Sequence, residues 1–213
     1  VFYDGYTVFE KDGPALFMYH LAPSNIDRDS VTEPHFKCQF ETRPLVRRGY
    51  LRVSSRCDGS RLVMAYLMTA TRNGSRPDVT ITPESDCISG AITVDGNTTF
   101  FAVNTGGKTV TFHGYSSDAL VIARSDDTGD IIAAPATTLA DNERTLMQTD
   151  MPVVVRYLST GAHGTFNLHV KEPTAVRFFV AREPRAVIVN EEAIETACRK
   201  AGDSWIDISL PGG

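Results

Sequence analysis

Short alternating apolar segments, each closed by a turn signal, recur from one end of the chain to the other and leave no room for a long helix. ALFMYHL (15–21), RLVMAYL (61–67), NTTFFAV (97–103) and PVVVRYL (152–158) stand for about a dozen of them. Segments of this length, rich in β-branched and aromatic residues, read as strands. Between them lie Asp12-Gly13-Pro14, Asp58-Gly59, Asn73-Gly74, Asp95-Gly96-Asn97, Thr105-Gly106-Gly107 and Thr128-Gly129-Asp130. Asp-Gly and Gly-Gly pairs reach positive φ without steric cost, so each predicts a hairpin and successive strands are expected to pair antiparallel. The fold class is all-β: a large antiparallel β-sandwich (a super-sandwich) with at most one or two short helices.

With 213 residues, 42% of them apolar, the chain can bury a substantial core, and residues 1–213 are expected to form a single sandwich domain. A net charge of −5 without blocks of Lys or Arg argues against a nucleic-acid partner, because neutralising phosphates needs clustered cations. RPLVRR (43–48) is the only dense basic stretch; it reads as a solvated loop, with a weak anion site as the alternative. No apolar run approaches the roughly 20 residues of a membrane-spanning helix, so no membrane partner is expected. The chain opens inside a strand-like VFYD with no signal-peptide pattern, as a fragment of a longer protein would.

Four cysteines permit two disulfides and require none; Cys38 and Cys57, in neighbouring strand-like segments, are the candidate pair, and free buried thiols are the alternative. Asn73-Gly-Ser75 and Asn97-Thr-Thr99 are glycosylation tripeptides, a pattern short enough to arise by chance.

Two stretches read as something other than strands. SNIDRDSVTE (24–33) is polar enough for a long surface loop, and NEEAIETACRK (190–200) has helical composition with Asn190 as its cap, a polar hairpin being the second choice. Residues 83–89 suggest a seam between the halves of a sandwich. In KTVTFHGY, alternation sends Val110 and Phe112 to one face and Thr109, Thr111 and His113 to the other.

Chemistry is sparser. No Gly-x-Ser-x-Gly elbow occurs, and no cysteine opens a helix that would lower its pKa. NTGGK (104–108) lacks the spacing of a phosphate loop and reads as a hairpin turn. Asp126-Asp127 and Glu191-Glu192 are adjacent, so their side chains diverge rather than face one another across a groove. The histidines His20, His35, His113, His163 and His169 form no metal-binding spacing. His20 differs from the others in lying inside an apolar strand, where an imidazole needs a hydrogen-bond or metal partner. A satisfied core histidine is the plainer reading. Asp4, at the end of the preceding strand, could face it.

VFYDGYTVFEKDGPALFMYHLAP resembles the opening of the β-sandwich that follows the helical toroid in heparinase II/III-like polysaccharide lyases and their oligoalginate-lyase relatives, in which a strand ending in Tyr-Asp precedes a hairpin and a Trp-Leu-Leu-His-like strand. The matching residues are Tyr3-Asp4 and Met18-Tyr19-His20; GYLRVSS, RLVMAYLMTATRNGSRPDVTI, SSDALVIARSDDTGDIIAAPATTL, AVIVNEEAI and SWIDISLP extend the likeness over nearly all of the chain. Gly5 where an Arg is usual, and Tyr19 where a Leu is usual, depart from the pattern. The resemblance implies a secreted or periplasmic accessory domain that forms one wall of a cleft for an acidic polysaccharide or oligosaccharide. The other wall, and the catalytic residues, would come from a helical toroid domain of the same parent, so the isolated chain is expected not to catalyse. It also implies zinc, with Asp4 and His20 among its ligands.

The competing class is a stand-alone carbohydrate- or protein-binding module, in which Tyr50, Tyr66, Tyr115 and Trp205 would present rings to a glycan or a protein. Scattered strand aromatics are more often packing residues. A self-associating capsid- or adhesin-like sandwich is a third possibility that composition leaves open.

Overall fold

A computed structural model describes residues 2–3, 5–10, 13–22, 26–34, 47–55, 64–160, 163–180, 187–189, 192–194, 198–201 and 203–210. Among them no helix occurs and every strand pairing is antiparallel, as the turn-punctuated sequence predicts. The chain divides into two compact units, Val1–Arg76 and Pro77–Gly213.

The first unit holds β1 (Phe2–Tyr3), β2 (Tyr6–Glu10), β3 (Ala15–Ala22), β4 (Ile26–Pro34), β5 (Arg47–Ser55) and β6 (Ala65–Thr71). Four of them form a sheet in the order β1-β2-β3-β6. Alternation along β3 buries Ala15, Phe17, Tyr19 and Leu21 and turns Leu16, Met18 and His20 to the other face.

The polar segment predicted as a loop at 24–33 is instead β4, which pairs with β5 as a separate two-stranded ribbon. Its register explains the correction: Asp29 stands opposite Arg52 and Glu33 opposite Arg48. Opposite charges at facing register positions favour strand pairing, so a polar stretch takes up a strand where the partner segment is complementary in sequence. Arg47 and Arg48 of the basic stretch thus begin a strand; the rest of that stretch lies outside the described residues.

The second unit begins with β7 (Asp78–Pro83), β8 (Cys87–Val94), β9 (Asn97–Asn104), β10 (Val110–Phe112), β11 (Tyr115–Ser117) and β12 (Val121–Ser125). Two long strands follow, β13 (Ile131–Asp141) and β14 (Thr145–Thr160), then β15 (His163–His169) and β16 (Thr174–Val180). The last are β17 (Val187–Val189), β18 (Glu192–Ile194), β19 (Cys198–Ala201) and β20 (Asp203–Leu210). All but β17 and β18 join one twelve-stranded sheet.

That sheet becomes a sandwich because β13 and β14 change partners halfway. The first part of β13 pairs with β12 and its last part with β11. β14 pairs with β16 through Met147–Thr149 and with β15 beyond Val154. Between the two halves the register breaks: the step from Ala136 to Thr138 on β13 faces the longer step from Val153 to Gln148 on β14. Pro152 lies within this step on β14 and Pro135 in the preceding register shift between Ala133 and Ala136, where their missing N–H groups cost no ladder bond. The bulges also keep Ile131, Ala133, Ala136 and Leu139 on one buried face despite their uneven spacing. Both half-sheets close on one core, in which Phe166 of β15 meets Phe178 of β16 with ring centroids 4.7 Å apart.

Asp118 secures the bend. Its Oδ1 accepts the backbone N–H groups of Thr137 and Thr138, each at 2.9 Å, and the Thr138 hydroxyl at 3.2 Å; its Oδ2 accepts the Thr137 hydroxyl. Burial would raise this carboxyl, but the hydrogen bonds from both threonines outweigh it and hold the pKa below the usual value.

Three further expectations are corrected in this unit. The stretch 190–200 contains no helix among the described residues: β17 and β18 pair, with Val187 opposite Ile194, and β19 pairs with β20. A helix shorter than about 12 residues is marginal alone, whereas the β-branched VIV run supplies an adjacent strand partner, which favours the hairpin alternative. Residues 83–89 are no seam but the turn of the β7–β8 hairpin, closed by the Glu84 N–H donating to the Cys87 carbonyl at 2.8 Å. NTGGK joins β9 and β10, which do not pair with each other. The loop is organised by the buried Asn104, whose amide donates to the Lys108 and Ala119 carbonyls and accepts from the Gly107 N–H at 2.8 Å.

Candidate functional site

The outer face of the second half-sheet carries a groove of about 490 Å³ across β14, β16 and β20. Period-two alternation decides which side chains reach it. Gln148, Arg177 and Asp207 form one row, since Arg177 is in register with both of the others. Asp150, Ala175 and Ser209 form the next, with Ala175 opposite Ser209 and its N–H donating to Asp150 Oδ1 at 3.1 Å. All six are exposed, while Thr149 and Val176 between them point into the core.

Arg177 is held on two sides. Its Nε donates to Asp207 Oδ1 at 2.7 Å and an Nη to Oδ2 at 3.3 Å, and its guanidinium lies 5.2 Å from the centroid of the Trp205 ring. The hydrogen bond to Asp207 raises the Arg177 pKa further, so the guanidinium stays charged. The groove residues include carboxylates, an amide, a hydroxyl and a guanidinium but no imidazole. Such a set offers hydrogen-bond donors and acceptors to a polar ligand.

His20 is in contact with both neighbouring strands. Its Nε2 lies 3.1 Å from the Thr7 hydroxyl, and its ring meets Tyr66 edge-on with centroids 5.4 Å apart. Asp4, its expected companion, lies outside the described residues, as do Cys38 and Cys57. The described residues contain no group of three His, Cys, Asp or Glu side chains that could hold a metal. Structural zinc takes four protein ligands, so the described residues alone do not make a zinc centre.

The remaining candidates are dispersed. His113 sits in the β10–β11 turn at φ 48° and stacks on Phe100 with centroids 4.2 Å apart. Burial, and then the Arg124 charge, lower its pKa against the opposing Asp126. His169 is exposed on β15, and His35 lies outside the described residues. Cys87 is a free thiol whose pKa is raised by burial and by Glu84, the opposite of an activated nucleophile. Tyr115 packs against the core, Tyr66 against His20, and one face of Trp205 is covered by Arg177.

No family model and no curated protein matches the chain. The groove was missed by sequence reasoning because none of its residues belongs to a motif. The available signal was the alternation in TAVRFFV and DSWIDISL, which sets Ala175, Arg177, Asp207 and Ser209 on the side opposite Val176, Ile206 and Ile208.

Proposed function

We propose that this chain is the accessory β-sandwich domain of a secreted or periplasmic polysaccharide lyase, forming one wall of a glycan cleft and not catalytic alone. The observation that carries the reading is the polar groove over β14, β16 and β20, which presents hydrogen-bonding side chains in two rows on one sheet face. The sequence resemblance supplies the rest. The acidic polysaccharide would lie between this wall and a helical toroid of the same parent, whose residues would remove the proton alpha to the uronate carboxylate and assist departure of the leaving sugar. The 213-residue chain is expected to give no rise in unsaturated-uronate absorbance with any acidic polysaccharide. Turnover by the purified chain would overturn the proposal.

Zinc enters this reading through Asp4 and His20 with further ligands beyond the described residues. In the longer parent protein, His20→Ala is expected to lower bound zinc, measured by elemental analysis, at least tenfold. Full zinc occupancy in that variant would remove His20 from the ligand set.

A second reading, the stand-alone carbohydrate-binding module, is favoured by one feature: the groove is built by three strands of a single unit. Glycan affinity in the absence of any toroid separates the two.

A further inference from the structure

β7 ends the strand order of the large sheet, and the glycan reading makes no use of it. We infer that this edge pairs with a second copy of the chain: two β7 strands meet antiparallel across a twofold axis perpendicular to the sheet and join both sheets into one. The pairing does not involve the groove, and it stands or falls separately from the reading above.

The main chain of β7 is paired on one side only. It bonds β8, and the phase of that ladder is set at the turn, where the Glu84 N–H donates to the Cys87 carbonyl. Antiparallel ladders alternate between pairs that exchange hydrogen bonds and pairs that do not, so Thr82–Ser89, Thr80–Ala91 and Asp78–Thr93 are the bonded pairs. The Thr80 carbonyl agrees, since it points at β8, against the place a Gly90 Cβ would take. Val79 and Ile81 therefore turn N–H and C=O away from β8, and Pro83, in the same phase, turns out a carbonyl alone. Among the described residues no hydrogen bond reaches these outward groups. Asp78 and Thr80 to Pro83 are exposed. Edges are commonly blunted by a Lys, an inward charge or a bulge, and from Val79 to Thr82 β7 has none of the three.

Side-chain pattern selects the occupant. Val79 and Ile81 share a face with Ile88, Ile92, Phe101 and Val103, all buried, whereas Asp78, Thr80 and Thr82 share the opposite face with Thr93, Ala91 and Ser89. A strand added here has to alternate apolar and polar in the same phase, and β7 itself does so when turned about a twofold axis at Thr80. Val79 then exchanges two hydrogen bonds with Ile81 of the second copy, and Ile81 two with its Val79. Thr80 meets Thr80 at the axis and Asp78 meets Thr82, so no like charges stand opposite one another. Beyond them Pro77 faces Pro83, neither with an N–H to leave unmatched, and the ladder stops. Main-chain bonds for affinity and alternate side chains for specificity are the pattern of strand addition.

So short a ladder makes a transient dimer, with an expected Kd on the order of 100 μM. Sedimentation of the full chain should give monomer at about 5 μM and mostly dimer at about 1 mM. Over that range amide exchange, followed by NMR, should slow severalfold at Val79 and Ile81, while Thr80, already bonded to β8, stays protected throughout. Ile81→Pro removes an outward N–H in the phase that Pro83 already occupies and breaks no bond to β8, so it should weaken association at least tenfold with little change in melting temperature. Thr80→Lys and Thr80→Glu each bring like charges together at the axis and should be monomeric at the highest concentration. An equimolar mixture of the two should associate at least as tightly as the wild type.

A wild-type chain that stays monomeric throughout, a dimer that survives Ile81→Pro, or a Lys–Glu mixture no more associated than its separate components would each overturn the inference. So would protection of Val79 and Ile81 that is already full at the lowest concentration, which would put a segment of the same chain on this edge.

Discussion

Asp118→Ala is expected to destabilise the second unit by about 2–3 kcal/mol at neutral pH, because it strips the acceptor from two backbone N–H groups and two hydroxyls at the bend of the sandwich. For a chain of this size that corresponds to a fall in melting temperature of roughly 4–12 °C. The effect should depend on pH in a fixed direction. The folded-state pKa of Asp118 is depressed, so its contribution is fully present above the unfolded carboxyl value of about 3.9 and is lost as pH falls through the folded value. The stability gap between wild type and Asp118→Ala, measured by urea unfolding, should therefore be widest near neutrality and shrink below about pH 4. Asp118→Asn keeps one acceptor oxygen for the two N–H groups and should fall between the two proteins, with a weaker acid dependence. A gap that stays constant from pH 7 to pH 3 would show that the loss comes from packing and not from the carboxylate.

The fold class was legible because period-two alternation and Gly-containing turns are local signals. Asp95-Gly96 adopts φ values of 49° and 84° in the β8–β9 hairpin, as its composition demands. The places where local reading failed were decided by partners distant in sequence. Residues 24–33 look like a loop until Arg48 and Arg52 are placed opposite Glu33 and Asp29. NTGGK looks like a hairpin turn until Asn104 is seen bonding Ala119, which no spacing rule anticipates. The partner change along β13 is equally nonlocal, since Pro135 marks an irregularity without saying which strands lie on either side.

The site was less legible than the fold, for a related reason. His20 drew attention because an imidazole in an apolar strand is conspicuous, yet a single hydroxyl from Thr7 helps account for it. The groove residues are ordinary outward-facing positions on three strands, and only register brings Gln148, Arg177 and Asp207 into one row.

Gly90→Ala should be the most damaging single-methyl change in the second unit, and the reason lies in backbone atoms that cannot move aside. Gly90 occupies the middle of β8, paired with Ile81 on β7 and Phe101 on β9. A Cβ there would collide with the Thr80 carbonyl oxygen and come within 2.7 Å of the Phe101 ring. Relief requires β7 to separate from β8 or the Phe101 ring to leave its buried position. Overpacking of this kind costs about 1–3 kcal/mol where side chains can adjust, and the clash with main chain puts Gly90→Ala at or above the upper end. A loss of about 3 kcal/mol corresponds to roughly 6–12 °C in melting temperature. Hydrogen exchange should locate the damage, with protection lost first across Asp78–Pro83 and Cys87–Val94. Gly96→Ala is the control: its φ of 84° strains an L residue, but nothing lies within 4 Å of the added methyl, so only about 1–2 kcal/mol is expected. Combining Gly90→Ala with Phe101→Leu removes the ring but not the Thr80 carbonyl, so stability should not return. Recovery in that double variant would assign the tightness at Gly90 to the aromatic ring and leave the approach of β7 to β8 without the energetic role given to it here.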